Sequence, residues 1–234
     1  MKQIQNLQQS LKQNSTQDPS PISGPALQIT IGVLAFLLPT IMIVGAAILD
    51  NCQIVQNSIS AYYHTVMRDV FVGILCGVGI SMFAYKGYNP LDSKIATAAA
   101  VFAFGVAFFP TSVGEPSTDC LNTVIDTGIY GTFHFISAAL LFSTLAFFSM
   151  VLFTIETKEI YKRRYRVFMG CGYVIIGCIV LIAVYSFFFK GMHKVLDQFR
   201  PVFYLEALAL AAFSFSWLTK GNEFFSRKEK EQNL

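Results

Sequence analysis

This chain has little charge: Asp, Glu, Lys and Arg make up 13% of its 234 residues, about half the share of an ordinary soluble domain. A formal net charge of +3, with no Lys/Arg stripe, excludes nucleic acid as a partner. No segment shows the alternation over about ten residues that marks an outer-membrane barrel strand. Paired broken helices and an inverted repeat are missing, which argues against a secondary transporter. HExxH, HxxxH and GxSxG are absent, so no familiar hydrolase signature is present. The five cysteines lack metal-finger spacing. The opening "MKQIQNLQQSLKQNSTQDPSPISGP" has no apolar core of the signal-peptide type, and residues 1–25 read as a polar, disordered cytoplasmic tail.

What the chain does have is apolar length. Hydrophobic residues reach 54%, Phe alone numbers 23, and the mean hydropathy is +0.53. A bilayer core about 30 Å thick takes roughly twenty apolar residues in a helix. Six segments meet that requirement: Ala26–Leu49, Arg68–Lys86, Ile95–Val113, Ile129–Ile155, Val167–Phe189 and Pro201–Thr219. The fold expected is an all-α integral membrane protein, a six-helix transmembrane bundle over residues 26–219 with a cytoplasmic tail at 220–234.

An even number of spans leaves both termini on one side. All but Arg68, Lys190, Lys194 and Arg200 of the 17 basic residues fall on that side. The bias places the N- and C-termini in the cytoplasm, with a plasma or inner membrane as location. The run "ETKEIYKRRYR" is the strongest part of that signal, and it also suits anionic lipid. Gly73, Gly77 and Gly79 give the second span a small-residue face, and Gly170, Gly172 and Gly177 line the fifth, so helices should pack closely there. Cys76, Cys171 and Cys178 lie inside spans as packing residues. Cys52 and Cys120 fall in two outer loops, where an oxidising compartment permits a bridge; two lone cysteines are the alternative.

The orientation gives the polar residues a depth. Ser58, Ser60, Tyr62, Tyr63, His64, Arg68 and Asp69 gather at the outer mouth of the second span. His134 and Glu206 lie about two turns inside the fourth and sixth spans, counted from the same face. His193, Arg200, Glu115, Asp119 and Asp126 flank them in the outer loops. A helical stretch would stack Ser60, His64 and Arg68 on one face, with Thr65 suited to cap the second helix. Ionisable groups within a span face the bundle interior or a wet cavity, so an outward-opening polar pocket is expected.

Three uses fit that pocket. One is binding a lipid headgroup at the outer leaflet. Arg68, Arg200, Lys190 and Lys194 would then meet phosphate, Tyr62, Tyr63, Tyr185 and Tyr204 would lie at the headgroup boundary, and His134 and Glu206 would line the pocket. Another is a membrane-embedded lipid hydrolase or acyltransferase. It would use Ser60 with His64 as nucleophile and base, or a divalent metal on His64, Asp69, His134 and Glu206. The third is a structural or accessory subunit of another membrane protein. Arg68–Glu206 or Arg200–Asp69 pairs would then close the pocket, and His134 would bond a neighbouring helix.

Three stretches carry a family likeness. "NSISAYYHTVMRDVFVGIL", "HFISAALLFSTLAFFS" and "YLEALALAAFSFSWLTKG" resemble the second, fourth and last spans of the Frag/DRAM/Sfk superfamily of six-span membrane proteins. Bacterial six-span families of similar layout look equally close. The resemblance implies a polytopic protein tied to lipid handling and acting with partners, and it singles out Ser60, His134 and Glu206. "YYHTVMRD" departs from the eukaryotic pattern, so no role for His64 or Asp69 comes from it.

Overall fold

The computed structural model describes residues 24–87, 90–112, 120, 128–155, 162–188 and 196–232. They are 88% helical, with no strand among them. The long helices are α1 (Gly24–Asp50), α2 (Arg68–Ala84), α3 (Pro90–Phe108), α4 (Gly128–Phe147), α5 (Lys162–Phe188) and α6 (Pro201–Gln232). A π-helical turn, Phe148–Leu152, and a last α turn, Phe153–Ile155, extend α4. Short 3-10 turns at Ser60–His64 and Asp197–Phe199 lead into α2 and α6.

Five of these helices are long and apolar enough to cross a bilayer. The other, α2, has 17 residues, about 25 Å at 1.5 Å per residue and about a turn short of the hydrocarbon core. Residues 1–23 of the expected N-terminal tail lie outside the described residues. Within the expected C-terminal tail the helix continues to Gln232, which makes α6 the longest of the described elements. Lys, Glu, Arg and Gln are good helix formers, and neither Gly nor Pro follows Gly221.

Each helix packs on the next, and α6 closes the ring along α1, with α6 also leaning on α4. The ring shape has a local cause in α3, where Ala96, Ala99, Ala100, Ala103 and Ala107 are fully buried at helical spacing. Small side chains let backbones approach where lipid offers no hydrophobic drive. A Cβ on Gly105 would lie 2.4 Å from Ser137 Oγ on α4, and one on Gly79 would lie 3.1 Å from Phe104 on α3. The expected glycine faces are therefore only partly in contact. Gly73, Gly170 and Gly177 face open space, while Gly172 meets Met150.

The core has an aromatic end and a polar end. Trp217 has the rings of Phe148, Tyr85, Phe153 and Phe213 at centroid distances of 5.2 to 5.5 Å. Ser149, in the π-helical turn, donates to Ser216 of α6 at 2.9 Å. The opposite end holds the loop after α1, the exit of α3 and the start of α6. Outside the ring, Ile48, Ile80, Val101, Ile129, Val180 and Phe215 are more than half exposed. Every long helix thus shows apolar surface outward, as lipid-facing helices do and soluble monomers do not.

Candidate functional site

The polar end is organised by the chain that leaves α1. Asn51 takes a left-handed conformation (φ 49°), which Asn tolerates better than most residues. Cys52 then donates its N–H to Ala46 O at 3.2 Å. Cys52 and Cys120 form a disulfide with a Cα–Cα distance of 5.6 Å, tying this loop to the segment after α3. Cys171 and Cys178 are buried free thiols and Cys76 is half-buried, as packing residues should be.

Loop 57–59 is stitched to the start of α6. Pro201 opens that helix, where its missing N–H costs nothing, and Arg200 before it is left-handed (φ 51°). Arg200 Nη1 donates to Asn57 Oδ1. The first-turn N–H of Phe203, otherwise an orphan of the helix end, donates to Asn57 O at 3.1 Å. In the reverse direction, Ile59 N–H donates to Glu206 Oε2 at 2.6 Å.

Ser58 Oγ accepts the Ala61 N–H at 3.0 Å and lies 3.4 Å from Ser60 Oγ, which starts the 3-10 turn. This turn overturns the expected helical stack. Thr65 is extended (ψ 180°), so Ser60, His64 and Arg68 share no α-helical face. Nor is Thr65 the cap of α2. Met67 holds that position, and Thr65 Oγ1 instead accepts Met67 N–H at 3.1 Å and donates to Tyr62 O at 2.8 Å. A hydroxyl that can satisfy backbone two residues on competes with helix and favours such a turn.

Two imidazoles hold the chain where α3 ends. His64 Nε2 lies 2.8 Å from Thr111 O, and His134 Nδ1 lies 2.7 Å from Phe109 O. A carbonyl can only accept, so the nitrogen facing it carries the hydrogen. For neutral His134 this leaves Nε2 as a bare acceptor. The residue is 3% exposed, and Nε2 is buried without a hydrogen-bond partner among the described residues.

His134 also borders two cavities. A small one of about 50 Å³ sits in the ring axis among α1, α2, α3, α4 and α6. A larger one of about 380 Å³ lies between α4, α5 and α6. Ser60, His134, Ala138, Phe142 and Glu206 bound both. The larger cavity has a polar end formed with Asn57, Ser58, Thr111, Tyr185 and Asp197. Its apolar walls come from Phe135, Ile179, Ile182, Phe187 and Val202. Tyr185 donates to Asp197 Oδ1 at 2.5 Å, joining α5 to the turn before α6.

Of the residues expected at the site, Ser60, His134 and Glu206 come together. Arg68 and Asp69 do not: they pair with each other at 3.1 Å, with side chains 51% and 86% exposed. Arg200 is turned onto Asn57, so neither Arg68–Glu206 nor Arg200–Asp69 is formed. His64 is buried behind Thr111 and lines neither cavity. Tyr62 is wholly buried against Phe203, at 6.3 Å between rings. Burial pushes its phenol above the usual value. Tyr63 stands edge-on to His64 at 5.7 Å.

Lys190, Lys194, His193, Glu115, Asp119 and Asp126 lie outside the described residues. No three of His, Cys, Asp and Glu gather as a metal site among the described residues. The proposed set of His64, Asp69, His134 and Glu206 is split by the outward turn of Asp69. Asn57, Thr111 and Asp197 lie on the cavity wall without having stood out in the sequence. The one local signal was an acid just before the Arg200–Pro201 helix start. Comparison with protein-family models, curated proteins and solved structures returned no match.

Proposed function

We propose that this chain is a six-span protein of a plasma or inner membrane that binds a lipid or similar amphiphile in the cavity between α4, α5 and α6. The observation that carries this is the cavity's form. About 380 Å³ of space has polar groups at one end and apolar side chains along the rest, which is the shape of a head and a chain. That volume is within the usual range for small-ligand sites. The groups at the polar end are held before any ligand arrives, through Glu206 on Ile59 and His134 on Phe109. Such preorganisation lowers the cost of binding.

The cavity opens on the outer face. A disulfide between the α1–α2 and α3–α4 segments belongs on an oxidising side, and the Lys/Arg excess marks the opposite, cytoplasmic side, where both termini lie. The short α2 reaches across with the aid of the 3-10 turn before it and a local thinning of the bilayer. This arrangement agrees with the Frag/DRAM/Sfk likeness, in which Ser60, His134 and Glu206 are the positions singled out.

Mass spectrometry of lipids carried through purification tests the proposal. A lipid bound by the wild type and lost in Ala183→Trp, which fills the cavity wall, is the expected result. An identical lipid complement in both proteins would remove it. A hydrolase reading has one observation in its favour. His134, held at Nδ1 with Nε2 bare, borders the same cavity as the Ser60 hydroxyl. Labelling of Ser60 by a fluorophosphonate would favour it.

A further inference from the structure

The geometry points to a ligand whose polar end is a primary ammonium, not a phosphate. This rests on the amphiphile-binding reading of the same cavity and names its head. The groups at the shared wall are acceptors. Glu206 lines the cavity with a carboxyl group that accepts Ile59 N–H at Oε2 and keeps a second oxygen as a further acceptor. His134 Nε2 is an acceptor by elimination, since Nδ1–H is spent on Phe109 O. Ser60 Oγ can accept as well as donate. Further along the wall, Asp197 adds a second carboxylate.

No Lys or Arg lines either cavity among the described residues. Of the two arginines at this end, Arg68 pairs with Asp69 at the surface, and Arg200, which itself lines neither cavity, donates to Asn57 Oδ1 at the cavity's polar end. A phosphate here would face the carboxyls of Glu206 and Asp197 with no cation among the described lining residues, which low-dielectric surroundings make costly. A metal finds no third ligand among the described residues. An ammonium has three N–H donors and no acceptor. It finds acceptors in the Glu206 and Asp197 carboxyls and in Ser60 Oγ, all on the described lining, and its bond to a carboxylate is charge-assisted. The alkyl chain then lies along Phe142, Ile179, Ile182 and Val202. The amine can belong to a free long-chain amine or to the head of an aminophospholipid.

Native mass spectrometry on the full chain in nanodiscs tests this with dodecylamine, dodecyl phosphate and dodecanol as probes. Wild-type protein should hold dodecylamine about tenfold tighter than dodecyl phosphate. Glu206→Gln keeps an acceptor for Ile59 N–H and removes the charge, so it should lower amine binding about tenfold and dodecanol binding much less. Nanodiscs of mixed phosphatidylethanolamine and phosphatidylcholine separate the two sources. Retention of the former, lost in Glu206→Gln, assigns the amine to a phospholipid; dodecylamine binding without such retention assigns it to a free amine. Dodecyl phosphate bound as tightly as dodecylamine, and displaced by Ala183→Trp, would overturn the ammonium head and leave the amphiphile site standing. Probe binding untouched by Ala183→Trp would remove both. Should Glu206→Gln fail to fold, the wild-type ranking of amine against phosphate decides alone.

Discussion

Glu206 reaches from the second turn of α6 to accept the main-chain N–H of Ile59 at 2.6 Å, across 147 residues of sequence. One carboxylate thereby closes the helix ring at its polar end and takes part in the cavity wall. The contact is made to backbone, so Gln can replace Glu as acceptor while Ala cannot. Glu206→Ala should cost about 1–3 kcal/mol, the penalty of an orphaned buried N–H, and Glu206→Gln less. Thermal unfolding of the purified variants followed by Trp217 fluorescence reads the difference. Equal melting temperatures for the two would contradict this role.

His134 does two separable things. Its Nδ1–H holds Phe109 O, and its ring forms part of the wall of both cavities. Asn places an amide N–H near the Nδ1 position, so His134→Asn should keep most of the stability that His134→Ala loses, about 1–3 kcal/mol. Ligand retention should fall in both. Melting temperature and co-purified lipid, measured on the same samples, should therefore part company in the Asn variant.

The Cys52–Cys120 bridge closes a loop spanning 68 residues and pins the segment that carries Asn57, Ser58 and Ile59. The Cys52→Ser/Cys120→Ser double variant should lose about 2–4 kcal/mol. Its helix content by circular dichroism should stay the same, since the six long helices do not depend on the bridge. Thiol alkylation with and without reductant shows whether the bridge is present in cells. Two alkylated cysteines at these positions without reductant would refute it.

Arg68 and Asp69 form an exposed pair at the start of α2. Pairs of that kind are worth at most about 1 kcal/mol. Arg68→Ala should leave both melting temperature and bound lipid nearly unchanged. A large loss of lipid on this substitution would return Arg68 to the headgroup role that its position in the sequence first implied.

The proposed orientation puts both termini in the cytoplasm. Green fluorescent protein fused after Leu234 should fluoresce in bacterial cells, and alkaline phosphatase fused there should stay inactive. The opposite pattern would invert the molecule and put the cavity on the inner face.

Helix positions were legible in the sequence because the requirement for them is local. A backbone in hydrocarbon must satisfy its own hydrogen bonds, which demands about twenty consecutive apolar residues. Thus Ala26–Leu49 became Gly24–Asp50, and Ile129–Ile155 became Gly128–Ile155. The departures were equally local in cause. Thr65 diverted the chain into a turn and shortened the helical part of the Ser60–Arg68 stretch, and helix-forming residues carried α6 past Thr219. Ser60, His134 and Glu206, which the fold brings to one wall, stand out in the sequence as polar groups in or beside apolar runs, and such groups face a bundle interior or a cavity.

Their partners could not be named. The sequence offers Arg68 and Arg200 as natural counter-charges for Glu206, and pairing by charge alone would select them. The fold selects Ile59 N–H instead, because closing α6 against α1 brings loop 57–59 over the second turn of α6, while the start of α2 turns Arg68 outward. Composition and periodicity determine what crosses a membrane and how deep each polar group lies. Which groups meet follows only when a long-range closure sets Arg200 on Asn57 and leaves Arg68 with Asp69 at the surface.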